Sequence, residues 1–413
     1  MRRFQVIILA FCIIFSFCSS GKRYYHIPAK NERRVYSGLE YFIEKYAHAY
    51  KKRSAVVVTN HSGLDYYLQR NIDLFRDNGI EIAFILVPEH GLYGYQNDYD
   101  KEMYNVSEEL NAIVYNMHKL NKASLKSLLS IADIVIFDIQ DMGMRCYTYI
   151  SNLKFVMDVL NGEDKELIVL DRPNPIGFLG VDGSYLDEKF FSRYISAFPV
   201  PFIYGMTIGE SALYYKGEFV KDVMLNVIPL VNYDRDMLYN ETMLPWVPPS
   251  PNLPTFESSV VYSAVVLLEG INISLGRGTT KPFEYLGAPW IEPISFCEGL
   301  KGLGLCNFNF RPICFKPTFS KHKDEKCGGV HILYMGGRFS PTEVSYRLIR
   351  YIMETYKECK WEKYRDGFDI DYLAGTDKLR EAITRGMDYR DFYDEIKDEI
   401  ENYRKVRAKY LLY

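Results

Sequence analysis

From Ser54 onward the chain alternates short unbroken apolar runs with longer amphipathic stretches. The runs are AVVVTN (55–60), EIAFILV (81–87), NAIVYN (111–116), DIVIFDI (133–139) and ELIVLD (166–171). Each has strand length and is apolar at consecutive positions, which marks strands covered on both faces. Between most of them lie the helix-length segments YYLQRNIDLFRDN, KASLKSLLSIA and YISNLKFVMDVLN. Buried strands alternating with helices predict parallel βαβ units. The expected fold class is α/β, a Rossmann-like, doubly wound and mainly parallel sheet over residues 35–250. A proline-dense run, LPWVPPSPNLP (244–254), reads as a rigid crossover. Beyond it, helical ESSVVYSAVVLLEG, strand-like GVHILY, a helix from about Thr342 to Tyr356 and further charged helices predict a smaller α+β domain over 255–413.

The polar residues fall at the ends of the predicted strands. Asn60 and His61 follow the first, and Glu89 and His90 follow the second. Asp138, Gln140 and Asp141 end the fourth, with Arg145 and Tyr147 close behind, and Asp171, Arg172 and Asn174 end the fifth. In an open parallel sheet these positions share the carboxyl edge, where such folds bind ligands. Asp, Asn and Pro after strands are also ordinary turn formers and helix caps. Four loaded strand ends together favour a functional edge. Thr207 and Glu210 are spaced as a capping box, so Glu210 is read as a cap.

The N-terminus adds an address. Arg2-Arg3, the apolar run Phe4–Cys18 and Ser19-Ser20-Gly21 have the order of a secretory signal, over residues 1–20, too short to span a membrane as a helix. The expectation is export to the periplasm or cell envelope, with two routes open: lipid anchoring through Cys18, or simple cleavage near Ser20. Cys297, Cys306, Cys314 and Cys327 cluster without the paired spacing of a structural zinc site. Disulfides and free buried thiols fit them equally. A net charge of -3 gives no electrostatic case for nucleic acid or an anionic membrane surface.

No GxGxxG turn follows the first strand, and GxxxxGK[ST], GxSxG and HExxH are all missing. That argues against a dinucleotide, ATP or serine-hydrolase chemistry and leaves carboxylates working without a cofactor. Glu89, after a buried strand and Pro88, is the expected general acid, its pKa raised by partial desolvation. His90 stands beside it, and Asp138, Asp141 or Asp171 could supply the second carboxylate a glycosidase needs, with Asp141 put forward for the role. A metal site from His61, Glu89, His90, Asp138 and Asp141 is the minority reading.

The motifs TNHSG, PEHG, DIQDMGMRCYTY, LDRPNP, YGMTIGE, PPSPNLP and GRGTTKPFEYLGAPW occur in the order and spacing of the exo-β-N-acetylmuramidases, formerly a family of unknown function. The resemblance runs from about Ser54 to the final YLLY and includes GFDIDYLAGTDKLREAI. One motif departs: it reads His61-Ser62 where the family commonly has threonine second, and serine keeps the hydroxyl. The resemblance implies a Rossmann-like domain with a smaller C-terminal domain and a cleft between them. It implies removal of terminal N-acetylmuramic acid from the non-reducing end of peptidoglycan fragments by an exported protein, and places the acid/base on Glu89. The lactyl carboxylate of that sugar calls for a cation, and Arg145, Arg172 or Arg277 could supply it. Asn60 and Asn252 could bind hydroxyls or the acetamido group. Glu284 could reach substrate from the second domain, or Arg277 and Glu284 could merely bridge a loop. Two other classes stay open: a non-catalytic muropeptide-binding lipoprotein, and a metal-dependent hydrolase using His61 and strand-end carboxylates.

Overall fold

The computed structural model describes residues 33–95 and 103–413, so the N-terminal apolar run read as an export signal lies outside the described residues. Among the described residues nine strands belong to the first half: β1 (Ser54–Thr59), β2 (Glu81–Val87), β3 (Tyr104–Ser107), β4 (Ala112–Asn116), β5 (Ile134–Asp138), β6 (Glu166–Leu170), β7 (Asp182–Tyr185), β8 (Pro201–Ile203) and β9 (Met224–Ile228). Seven of them form one sheet in the order β3-β4-β2-β1-β5-β6-β9, with only β3 antiparallel to its neighbour. The chain winds outward from β1 through β2 to β4, then returns to β5 and runs the other way. The switch point therefore lies between β1 and β5, the place where open α/β sheets bind ligands.

Successive side chains of the central strands enter opposite cores. Ala55 and Val57 of β1 and Ile134 and Ile136 of β5 join Leu39, Phe42 and Phe75 on one face. Val56, Val58, Val135 and Phe137 enter the larger core on the other. This period-2 division explains why the strands read as unbroken apolar runs. Helices α1 (Gly38–Lys45) and α2 (Asn71–Asp77) cover the first face, while α3 (Lys122–Leu129), α4 (Tyr149–Leu160) and α5 (Ile208–Glu218) cover the second.

The helix expected over YYLQRNIDLFRDN is shorter than its segment, occupying only Asn71–Asp77. Residues before it are held in turns, with Asp65 accepting from the Gln69 amide and Gly63 packed against Asn71 and Thr59.

The second half builds a three-stranded antiparallel sheet from β10 (Tyr285–Ala288), β12 (Cys327–Tyr334) and β11 (Phe308–Phe315), in that order. Around it lie α6 (Phe256–Val265), α7 (Pro293–Lys301) and α8 (Pro341–Thr355), followed by α9 (Asp369–Ala374), α10 (Lys378–Thr384) and α11 (Tyr389–Arg407). Val261, Leu286, Val330, Ile349 and Phe392 of this half belong to the same core as Val135 and Phe137 of the first. The six described cysteines, Cys146 to Cys359, are free thiols.

Candidate active site

A cavity of about 580 Å³ opens at the carboxyl edge of the sheet, large enough for a small ligand. The first half contributes Glu89, His90, His118, Lys119, Tyr147 and Thr148. The proline-rich crossover gives Ser250 and Asn252, and the second half adds Tyr262, Glu269, Arg277 and Phe283.

Glu89 is delivered by β2, whose register with β1 and β4 fixes where the strand stops at Pro88. His90 then takes a left-handed backbone, φ 73°, and Gly91 follows at φ 72°. A non-glycine residue in that region is uncommon and clusters at functional turns. The turn leaves both side chains partly exposed, with His90 Nε2 3.9 Å from Glu89 Oε1. Thr148 occupies the cap position of α4 but makes no cap bond, and its hydroxyl donates to Glu89 Oε2 at 2.8 Å. Tyr147, next to it, is buried, and its hydroxyl has no hydrogen-bond partner among the described residues. Burial pushes that phenol well above its usual pKa, so it keeps its proton.

Asn60 and His61 shape the cavity from beneath. Asn60 donates to the Tyr149 hydroxyl at 3.0 Å, and Tyr149 donates to Pro249 O at 2.7 Å. His61 Nε2 lies 2.6 Å from Pro248 O, a contact that needs the proton on that nitrogen. Burial lowers the His61 pKa and keeps the ring neutral. Together they clamp the crossover that carries Ser250 and Asn252 into the cavity.

Other predicted site residues are committed elsewhere. Arg172 does not pair with its neighbour Asp171. It grips Asp138 across the sheet with Nε at 2.6 Å and Nη2 at 3.0 Å. Asp138 also accepts from Asn71, which fills the β1–β5 crevice with a closed polar network. Asp171 is fully buried under the start of α5, accepting from Thr207 Oγ1, Gly209 N and the Tyr413 hydroxyl. Burial and nearby Glu210 push its carboxyl up to about 7. Glu210 closes the predicted capping box with Thr207 and also holds Arg235. Asn174 pins the Met206 carbonyl and the Ile176 amide. Asp141 is buried against Tyr204 and Gly143 N, away from the cavity wall. Arg145 is spent on the carbonyls of Ser184, Val200, Leu373 and Ala374. Arg277 and Glu284 do not bridge each other. Arg277 pairs with Glu269 at 2.6 Å, and Glu284 with Lys281 and His331, each at 3.1 Å.

The structure thus brings Glu89, His90, Tyr147, Asn252 and Arg277 to one cavity, with Asn60 and His61 supporting it. Sequence reasoning missed Thr148 and Glu269. Thr148 sits inside RCYTYI, between two tyrosines that drew the attention. Glu269 ends an apolar helical run and carries no local signal. Among the described residues no three His, Cys, Asp or Glu side chains gather as a metal-holding group.

A family model described as exo-beta-N-acetylmuramidase NamZ, N-terminal, matches residues 55–257, and its C-terminal counterpart matches 260–413. A curated relative, the peptidoglycan beta-N-acetylmuramidase NamZ of Bacillus subtilis, is 36% identical over 383 residues, 92% of each chain. Two crystal structures of DUF1343 family proteins from Bacteroides fragilis share the fold. One has a TM-score of 0.81 at 29% identity, covering 92% of this chain and all of its own. The other has a TM-score of 0.69 at 28% identity, covering 92% of this chain and 99% of its own. With both halves matched in order, this chain belongs to the NamZ exo-β-N-acetylmuramidase family of glycoside hydrolases.

Proposed function

We propose that the chain releases terminal N-acetylmuramic acid from the non-reducing end of peptidoglycan fragments, with Glu89 as general acid. The observation that carries this is the Glu89 carboxyl at the wall of a cavity lined by both halves, oriented by the Thr148 hydroxyl. In the first step Glu89 protonates the glycosidic oxygen as the bond to the anomeric carbon breaks. Water then adds to that carbon, and its proton returns the acid for the next cycle. Glu269 supplies a second carboxylate in the same cavity, as glycoside hydrolysis uses. Tyr147 and Asn252 offer a hydroxyl and an amide to the sugar's polar groups. The Bacillus subtilis relative, named for peptidoglycan β-N-acetylmuramidase activity, supports this substrate class. Action on wall fragments also suits the export signal read at residues 1–20, with or without a lipid anchor at Cys18.

The test is hydrolysis of a chromogenic β-N-acetylmuramide by the purified protein, with and without chelator, beside Glu89→Gln. Release by the wild type that persists in chelator and falls by roughly 100-fold or more in the variant, with unchanged melting, supports the reading. Binding without turnover would favour a muropeptide-binding protein instead. Loss in chelator would favour a metal hydrolase.

A further inference from the structure

An enzyme that accepts N-acetylmuramic acid can tell it from N-acetylglucosamine by one handle, the lactyl ether carboxylate on the 3-oxygen. We propose that Arg277, held by Glu269, reads that carboxylate and so sets the specificity of the cavity; this rests on the muramidase reading above. The three arginines that sequence chemistry offers for the task separate cleanly. Arg145 gives its guanidinium to backbone carbonyls of both halves. Arg172 is closed on Asp138 and Leu64 O. Arg277 alone of the three lines the cavity.

Its surroundings leave it prepared for a second anion. Nη2 donates to Glu269 Oε1 at 2.6 Å, and the guanidinium carbon lies 5.0 Å from the centre of the Phe283 ring. Nε is buried and has no acceptor among the described residues. A buried donor left unmade is costly, and the guanidinium fork matches the two oxygens of a carboxylate. Burial opposes the charge of Arg277, but Glu269 and, further off, Glu89 favour it, so the side chain stays cationic beside the candidate acid. Glu269 restrains the guanidinium before substrate arrives, which lowers the ordering cost of binding. Lys119 also lines the cavity, but it is exposed, and a hydrated ammonium discriminates poorly.

The experiment compares three chromogenic substrates: the β-N-acetylmuramide, its lactyl methyl ester, and the β-N-acetylglucosaminide. Wild type, Arg277→Lys, Arg277→Gln and Lys119→Gln are each assayed, with melting curves for every variant. The wild type is expected to prefer acid over ester by roughly 10- to 100-fold in kcat/KM. Arg277→Gln is expected to lose that preference, its acid-to-ester ratio of kcat/KM falling to about 1, chiefly through a raised KM for the acid. Arg277→Lys, which keeps the charge but loses the fork, should fall between. A wild type indifferent to esterification overturns the proposal without any variant having to fold. So does an Arg277→Gln that retains the preference, or a Lys119→Gln that abolishes it. A wild type that hydrolyses none of the three removes the muramidase reading itself, a different result from loss of selectivity alone.

Discussion

The Thr148 hydroxyl donates to Glu89 Oε2 at 2.8 Å while leaving its own helix uncapped at that position. Threonine at a helix start usually gives its side-chain oxygen to the helix amides. Here its hydrogen goes to a carboxyl arriving from β2.

Thr148→Val keeps the shape and removes that donor. The expected result is a fall of roughly 10-fold in kcat, because a positioned acid loses the group that orients it. KM and the melting temperature should hardly move, and Thr148→Ser should restore most of the rate. Steady-state kinetics on the chromogenic muramide checks this. A Thr148→Val enzyme with wild-type kcat would detach Thr148 from the acid.

The sheet was legible because its strands are apolar at consecutive positions, which only a doubly covered strand requires. Val56 and Val57 enter different cores, so neither can be polar. The position of Glu89 was legible for a related reason: a buried strand stopped by proline delivers whatever follows it to the sheet edge. Arg145 was not. Its sequence neighbourhood suits a substrate anchor, yet one of its acceptors, Ala374 O, lies 229 residues away. No local pattern shows whether a guanidinium faces a cavity or a set of carbonyls. Glu269 was hidden in the same way, since its value comes from Arg277 and the cavity wall.

Asp141 gives a pH prediction. Burial pushes its carboxyl up to about 6, against the opposing hydrogen bond from Tyr204. One oxygen accepts from the Tyr204 hydroxyl and Gly143 N, and the other has no hydrogen-bond partner among the described residues. An acid whose pKa is higher folded than unfolded holds its proton more tightly in the folded state. Its contribution is therefore present at low pH and drains as pH rises through the folded value. On the order of 3 kcal/mol is lost between about pH 4 and pH 6. Asp141→Asn cannot titrate, so its stability relative to wild type should improve across that window. Urea unfolding of both proteins at either end of the window measures the difference. An Asn variant that tracks the wild type at both ends would show that Asp141 does not carry this dependence.

Tyr413 ties a distant segment to the strand-end network. Its hydroxyl donates to Asp171 Oδ2 at 2.9 Å and accepts from Leu230 N at 2.6 Å. Tyr413→Phe leaves a partly buried amide without its acceptor and removes one donor from a buried carboxyl. The expected cost is about 1 to 3 kcal/mol in chemical denaturation, with activity per folded molecule unchanged. A variant as stable as the wild type would mean that water replaces the hydroxyl at Leu230.

Arg145 offers the sharpest separation of stability from catalysis. It is fully buried and pairs with no carboxylate among the described residues. Burial lowers its pKa to about 10, so it remains a cation at neutral pH. The charge is compensated by carbonyl dipoles: Ser184 O at 3.0 Å, Val200 O at 2.8 Å, and the α9 carbonyls of Leu373 and Ala374. A Cβ added at Gly375 would clash with the guanidinium, and that glycine sits at φ 68°. The latch therefore fastens the β7–β8 region to the end of α9. Arg145→Met removes the charge but leaves these carbonyls without a donor, and roughly 3 kcal/mol of stability should be lost. Arg145→Lys should recover little, because one ammonium cannot span the same acceptors. The selectivity for the muramide over its methyl ester should survive in whatever fraction remains folded, since Arg145 does not reach the cavity. Measuring that ratio alongside the unfolding midpoint decides the matter. A collapse of selectivity with an unchanged midpoint would return Arg145 to the substrate site.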